Sequence, residues 1–225
     1  MIKAVLFDMD GILYDSEYWY MQGTIKQMRA YGYKGPEKDI ITGIVGKTME
    51  GTYRALYDLL GGEVPYETIR RNNDRYFDVE HPLDYKEIMF PHVKEVLAAL
   101  HADGKKLAVC SSSPMQLIVD SLKAMEIASY FDFVESGENL KHAKPAPDIY
   151  LKAAEALHMN PKDCVVYEDS CAGIQAGINA GIYTVARHDT RFYQDQSMAD
   201  KSVNSIEELY DWIRKEDTDA GSHKN

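Results

Sequence analysis

Short apolar runs alternate with longer amphipathic stretches along most of the chain. The runs lie at residues 3–7, 107–110, 132–134, 164–167 and 182–185, and their β-branched and aromatic content is typical of short buried strands. The stretches at residues 93–101, 116–125, 149–157 and 206–213 have the spacing of helices that bury one face. Nearly continuous apolar strands that alternate with helices predict a parallel sheet covered on both faces. The expected core is therefore a doubly wound, Rossmann-like α/β fold.

The region between residues 16 and 83 breaks this alternation. It has no good strand pattern, and it carries amphipathic helical stretches at residues 18–31, 49–60 and 66–77. An insertion of this length directly after the first strand is too long for an ordinary loop. We therefore predict a helical cap at residues 16–83 and an α/β core formed by residues 1–15 and 84–215. The polar end of the chain, residues 216–225, is predicted to be a disordered tail.

Composition and charge narrow the classes of function. The 225 residues are 45% hydrophobic and 27% charged, as in ordinary globular proteins. The net charge of −11 argues against a nucleic-acid-binding surface, which needs a basic patch. The sequence has no apolar run of membrane-spanning length and no signal-peptide pattern, and its three scattered cysteines fit a reducing compartment. We therefore expect a cytoplasmic monomer or weak dimer without nucleic-acid or membrane partners.

Polar side chains follow three of the predicted strands. Asp8 and Asp10 follow the first strand, serines 111–113 the second, and Glu168 and Asp169 the strand at residues 164–167. Because ligands of parallel α/β sheets bind beyond the carboxyl ends of the strands, these side chains should meet at one rim. Crowded carboxylates repel one another, and a divalent cation would relieve that repulsion. Oxygen ligands without paired His or Cys favour Mg²⁺ over zinc.

The same residue types can divide the work of phosphoryl transfer. One carboxylate can attack phosphorus and form an aspartyl-phosphate, while a second protonates the leaving oxygen and then activates water. Asp8 and Asp10 offer such a pair, and Lys144 is the candidate cation, in a loop stiffened by two prolines. Each pattern alone also has a simpler reading, as a turn, a helix cap or a solvated surface charge.

Taken in order, the motifs DMDG, SSS, KPAPD and VVYEDSCAGIQAG resemble those of the haloacid dehalogenase superfamily. The insertion after DMDG resembles the helical C1-type cap of the subfamily that includes sugar-phosphate phosphatases and β-phosphoglucomutase. The resemblance covers the chain to about residue 203. It implies the following roles: Asp8 as nucleophile and metal ligand, Asp10 as general acid/base with its backbone carbonyl on the metal, Ser111 as the residue that holds the phosphoryl oxygen, Lys144 as the neutralising lysine, Asp169 as a metal ligand, and Glu168 as a metal or supporting carboxylate. Ser112, next to Ser111, is a further candidate for substrate binding.

The cap residues bear on the choice between phosphatase and mutase. Where β-phosphoglucomutase has a histidine, an arginine and a lysine, this sequence has Tyr20, Met49 and Asn72, although Lys47 or Arg71 could substitute. These five are the candidate cap contacts to substrate. A mutase must hold two phosphates, and lost cations weaken its hold on the distal one. We therefore expect a Mg²⁺-dependent phosphomonoester hydrolase acting on a small, sugar-phosphate-like metabolite. A β-phosphoglucomutase-type mutase is the alternative, and a non-catalytic binding module on the same fold is the third interpretation.

Overall fold

The computed structural model describes residues 1–45, 47–191 and 194–222. Contacts divide the chain into two compact units, one formed by Met1–Tyr14 with Met89–Asn225 and the other by Asp15–Ile88. The first unit contains the strands, and the second is helical in its described part. The observed insertion thus begins at residue 15 and ends at residue 88, compared with the expected 16 and 83.

Six parallel strands form the sheet in the described part of the core unit, as the fold class predicts. They are β1 (Ala4–Phe7), β2 (Lys106–Ser111), β3 (Phe133–Ser136), β4 (Cys164–Glu168), β5 (Tyr183–Arg187) and β6 (Lys201–Val203). Their order is β3-β2-β1-β4-β5-β6, so β1 lies between β2 and β4. Phe7 pairs with Val109 on one side and Tyr167 on the other. The carboxyl ends of these three strands therefore lie side by side at one edge of the sheet.

Strand β6 was not expected from the sequence. It has three residues, pairs with β5, and lies at the edge of the sheet formed by the described strands. A short edge strand needs no continuous apolar run, so the pattern that marks the central strands is missing.

The inserted unit is built from helices α1 (Ser16–Ala30), α2 (Glu37–Ile44), α3 (Met49–Leu59), α4 (Tyr66–Arg75) and α5 (Tyr85–Ile88), with a π-helical turn at Tyr76–Glu80. Three of them match the predicted stretches, whereas α2 and α5 were not predicted. Helix α2 has eight residues, too few for a clear 3.6-residue period. It is held by packing instead, because Ile40 is fully buried and Gly43 lies against Ala55 and Leu59 of α3.

Five α-helices of the core unit accompany the strands among the described residues. They are α6 (Val93–Ala102), α7 (Met115–Ala124), α8 (Asp148–Ala156), α9 (Cys171–Asn179) and α10 (Ile206–Ser222). Helix α9 approaches the sheet closely, since a Cβ at Gly177 would overlap the hydroxyl of Thr184. None of the described helices has the length and apolar character needed to cross a bilayer.

The prediction of a disordered tail from residue 216 is wrong for the part that the structure describes. Helix α10 continues to Ser222, and residues 223–225 lie outside the described residues. Asp217 accepts a hydrogen bond from the backbone nitrogen of Ile2 at 2.9 Å and forms an ion pair with the nearly buried Lys105. These tertiary contacts order a segment whose polar composition alone suggested disorder.

Candidate active site

A buried lysine links two of the predicted carboxylates at the carboxyl ends of β2, β1 and β4. Lys144 Nζ lies 2.6 Å from Asp8 Oδ1 and 2.8 Å from Glu168 Oε1. It also donates to the backbone oxygen of Cys110 at 3.0 Å. The side chains of Lys144, Asp8 and Glu168 are 7%, 11% and 1% exposed. The sequence predicted that these groups meet, but it did not indicate that the lysine contacts both carboxylates.

The charges of this group are not balanced by the lysine alone. Burial raises the pKa of Asp8 to about 7; Lys144 opposes this shift, and the negative charge of Glu168 adds to it. Burial would lower the pKa of Lys144, but attraction to the two carboxylates outweighs burial and raises that pKa well above its usual range. Lys144 therefore stays charged at neutral pH. The two carboxylates together need a further proton or cation for neutrality.

Glu168 is fixed through both of its carboxylate oxygens. Tyr150 donates its hydroxyl to Oε1 at 3.2 Å. The backbone nitrogens of Asp169 and Ser170 donate to Oε2 at 2.8 Å each, and the Ser170 hydroxyl donates to it at 3.0 Å. A Cβ at Gly173 would overlap this carboxylate, so the start of α9 must carry glycine there. These donors occupy both oxygens, which favours a supporting role for Glu168 over direct binding of an ion.

Asp8 and Asp169 could hold a cation, with the carboxylate of Glu168 beside them. Asp8, Glu168 and Asp169 each offer an oxygen, and these oxygens all lie within 4.8 Å of one another. Hard oxygen donors at this spacing fit a small divalent cation such as Mg²⁺. The carboxylate of Asp10 lies outside this group and accepts a hydrogen bond from Ser113 Oγ at 3.3 Å. A metal contact through the Asp10 carbonyl stays a prediction.

The predicted serines form the turn between β2 and α7. Ser111 is buried, and its hydroxyl accepts a hydrogen bond from the backbone nitrogen of Ser113 at 3.1 Å. Ser112 is exposed. Ser136 at the end of β3 donates its hydroxyl to the backbone oxygen of Ser113 at 2.7 Å, which fixes the turn from the neighbouring strand. The contacts of Ser111 and Ser112 with substrate stay predictions.

Sequence reasoning missed several side chains that support this rim. Tyr150 lies on the buried face of α8, where the sequence pattern indicates only a residue of the hydrophobic core. Arg187 donates to the backbone oxygen of Gly11 at 3.2 Å. It ends β5, so the strand-end rule that found the other residues could have found it. Gln196 donates to the backbone oxygen of Asp169 at 2.6 Å, but it lies in an irregular segment with no sequence signal.

The five predicted cap contacts belong to the helical unit and are described within it. They are Tyr20, Lys47, Met49 and Arg71, which are exposed, and the half-buried Asn72. Asn72 donates its amide to the hydroxyl of Tyr31 at 3.0 Å, beside a cavity of about 300 Å³ within this unit. Tyr20 packs against Phe77 with ring centroids 4.9 Å apart. The contacts of all five residues with substrate stay predictions.

Comparison with known proteins shows which family profile, sequences and solved structure this chain resembles. The sequence profile of the haloacid dehalogenase-like hydrolases matches residues 5–187. The chain is 31% identical over 183 residues to the phosphorylated carbohydrates phosphatase of Thermotoga maritima, covering 80% of this chain and 82% of that protein. It is 27% identical over 216 residues to hexitol phosphatase B of Escherichia coli, covering 92% and 94%. A solved structure from Thermotoga maritima with a provisional β-phosphoglucomutase assignment matches with a TM-score of 0.77 at 26% identity, covering 95% of this chain and 99% of that one.

Proposed function

The chain belongs to the haloacid dehalogenase-like hydrolase family, and we propose that it is a Mg²⁺-dependent phosphatase of small, sugar-phosphate-like metabolites. The observation that carries this proposal is the buried Lys144 held between Asp8 and Glu168 at the carboxyl end of the sheet. The names of the two relatives, a phosphorylated carbohydrates phosphatase and a hexitol phosphatase, support the substrate class.

In the first step of the proposed reaction, a carboxylate oxygen of Asp8 attacks the phosphorus of the substrate. The bond between phosphorus and the ester oxygen breaks, and Asp10 gives its proton to that oxygen, so the leaving group departs as an alcohol. Lys144 lies 2.6 Å from Asp8 and stabilises its ionised form. Asp8 then carries the phosphoryl group as an aspartyl-phosphate.

In the second step, Asp10 acts as a base. It takes a proton from water as the water oxygen attacks the aspartyl-phosphate, and the bond between phosphorus and Asp8 breaks. Inorganic phosphate leaves, Asp8 is again a carboxylate, and Asp10 is again protonated for the next substrate. When bound by Asp8, Asp169 and the Asp10 carbonyl, Mg²⁺ would supply positive charge that favours the ionised carboxylates and the phosphoryl oxygens.

Phosphate release from a panel of phosphorylated metabolites tests the proposal. We expect the wild type to release phosphate in millimolar Mg²⁺, to stop in EDTA, and to recover when Mg²⁺ returns. Asp8→Asn should fall to the background rate because the nucleophile is lost. The exposed Asp211 of α10 offers a matched control, and Asp211→Asn should keep the wild-type rate. Wild-type turnover by Asp8→Asn would contradict the proposal.

One observation favours a second candidate, a sugar phosphomutase: the match to the solved structure with a provisional β-phosphoglucomutase assignment. Against it, Tyr20, Met49 and Asn72 stand where the mutase has a histidine, an arginine and a lysine. β-Glucose 1-phosphate with a trace of the 1,6-bisphosphate separates the two activities. Accumulation of inorganic phosphate identifies the phosphatase, and accumulation of glucose 6-phosphate identifies the mutase.

A further inference from the structure

The last residue of β5 and the segment that follows this strand hold the backbone of both loops that carry the candidate metal ligands. Gln196 donates through Nε2 to the backbone oxygen of Asp169 at 2.6 Å and to that of Arg187 at 2.8 Å. Arg187 in turn donates through Nη1 to the backbone oxygen of Gly11 at 3.2 Å. One connected set of hydrogen bonds thus joins the loop after β1 to the loop after β4.

These bonds complete the backbone anchoring of Asp169. Its nitrogen donates to Glu168 Oε2 at 2.8 Å, and its oxygen accepts from Gln196. With both backbone groups of the residue fixed, the direction of its Cα–Cβ bond is fixed as well, and so is the region that its carboxylate can reach. Gln196 supplies the second of these anchors.

The carboxylate of Asp169 also packs directly on the other loop. Gly11 has a φ of +74°, and a Cβ at this position would overlap the Asp169 carboxylate. The two residues that touch here are therefore the same two whose backbone oxygens are held, one by Arg187 and one by Gln196. Arg187 is itself fixed, since its guanidinium lies 3.8 Å from the ring centre of Phe90 and donates to Asp189 at 3.1 Å.

We propose that Gln196 is a positioning residue for the divalent cation of this site. It acts through Asp169 by keeping that carboxylate next to Asp8, and Arg187 extends the same support to the loop of Gly11. This inference rests on the proposed function, because that proposal assigns a cation to these carboxylates. Residues that orient metal ligands without touching the metal commonly change metal affinity by about 10- to 100-fold when mutated.

The test replaces the two N–H donors of Gln196 while keeping the size of the side chain. Gln196→Glu places a carboxylate against two backbone oxygens, and Gln196→Met removes the donors without adding a charge. Gln175 on α9 donates to Asn179 at the surface, so Gln175→Glu is the matched control. Isothermal titration calorimetry of each substrate-free protein gives the dissociation constant for Mg²⁺. Thermal unfolding in EDTA reports stability separately.

We expect both Gln196 variants to bind Mg²⁺ about 10- to 100-fold more weakly than the Gln175→Glu control. Their KM for a sugar phosphate at saturating Mg²⁺ should stay near the wild-type value. A lower melting temperature with an unchanged Mg²⁺ dissociation constant would show a purely structural role and overturn the inference. A wild type that binds no Mg²⁺ would overturn it too, whereas phosphate release by that wild type would still support hydrolysis.

Discussion

Replacement of Lys144 by methionine tests the electrostatic centre of the site. Methionine has nearly the same length and keeps the packing, but it removes the ammonium group that contacts Asp8 at 2.6 Å and Glu168 at 2.8 Å. Lys144→Met therefore leaves two buried carboxylates without their shared cation. We expect it to lower both the free energy of unfolding and the rate of phosphate release.

The magnitude follows from burial. Removing one partner of a buried ion pair costs about 3–5 kcal/mol. We expect the lower end at pH 7, because Asp8 already has its pKa raised to about 7 by burial and can take up a proton once the lysine is gone. A loss of about 3 kcal/mol should move the urea midpoint down by roughly 1–2 M. Loss of a preorganised charge at the reacting oxygens should lower kcat by about 10²- to 10³-fold.

The assay is urea unfolding in EDTA, followed by circular dichroism, with phosphate release measured on the same preparations in Mg²⁺. Lys141→Met is the control, because this exposed lysine lies in the same loop and should change stability by less than about 0.5 kcal/mol. The double variant Asp8→Asn/Lys144→Met also removes one of the unpaired carboxylates. Its free energy of unfolding should therefore be about 1–3 kcal/mol higher than the two single substitutions predict when their effects are added. Unchanged stability in Lys144→Met, or strict additivity in the double variant, would refute the reasoning.

Three further predictions follow from contacts in the core unit. Gly173→Ala should lower the free energy of unfolding by about 1–3 kcal/mol, because the new Cβ would overlap the carboxylate of Glu168. Alanine normally stabilises an exposed helix relative to glycine, so a higher urea midpoint in this variant would contradict the prediction. Asp10→Asn should lower kcat/KM more for a sugar phosphate than for an aryl phosphate, because only the poor leaving group needs an acid; equal losses would refute the assignment. Burial alone would raise the pKa of Asp189, but hydrogen bonds from Arg191 and Arg187 lower it to about 2. The ionised carboxylate therefore stabilises the fold above pH 4, and this stabilisation is lost as pH falls from 4 towards 2. Asp189→Asn should lower the free energy of unfolding by about 1–2 kcal/mol at pH 7, and thermal unfolding should show this loss shrinking between pH 4 and pH 2. A difference in stability between the wild type and Asp189→Asn that does not change with pH would contradict this prediction.

The positions that the sequence predicted well are those tied to the ends of the central strands. Asp8, Ser111 and Glu168 follow short apolar runs, which are typical of the buried strands of a parallel sheet. Once β1 lies between β2 and β4, their ends must adjoin. The residues that carry the candidate chemistry were therefore placed by topology, with no need for side-chain detail.

The supporting contacts could not be predicted in this way, because they depend on geometry that a pattern does not encode. Tyr150 reaches Glu168 only because α8 presents one particular side chain to the end of β4. Gln196 reaches Asp169 from an irregular segment, where neither period nor spacing constrains direction. The order of residues 216–222 depends likewise on distant contacts, which Asp217 makes with the backbone of Ile2 and with Lys105.

Chemical trapping of the phosphoryl group on Asp8 tests the central claim most directly. Asp10→Asn should be phosphorylated by an aryl phosphate, because a good leaving group needs no acid, and should lose the group slowly, because the base for water is missing. After an acid quench, borohydride reduces an acyl phosphate to the alcohol, so mass spectrometry of the peptide containing Asp8 should show homoserine at that position. Turnover of the aryl phosphate with an unmodified Asp8, or with the group on another residue, would contradict the account.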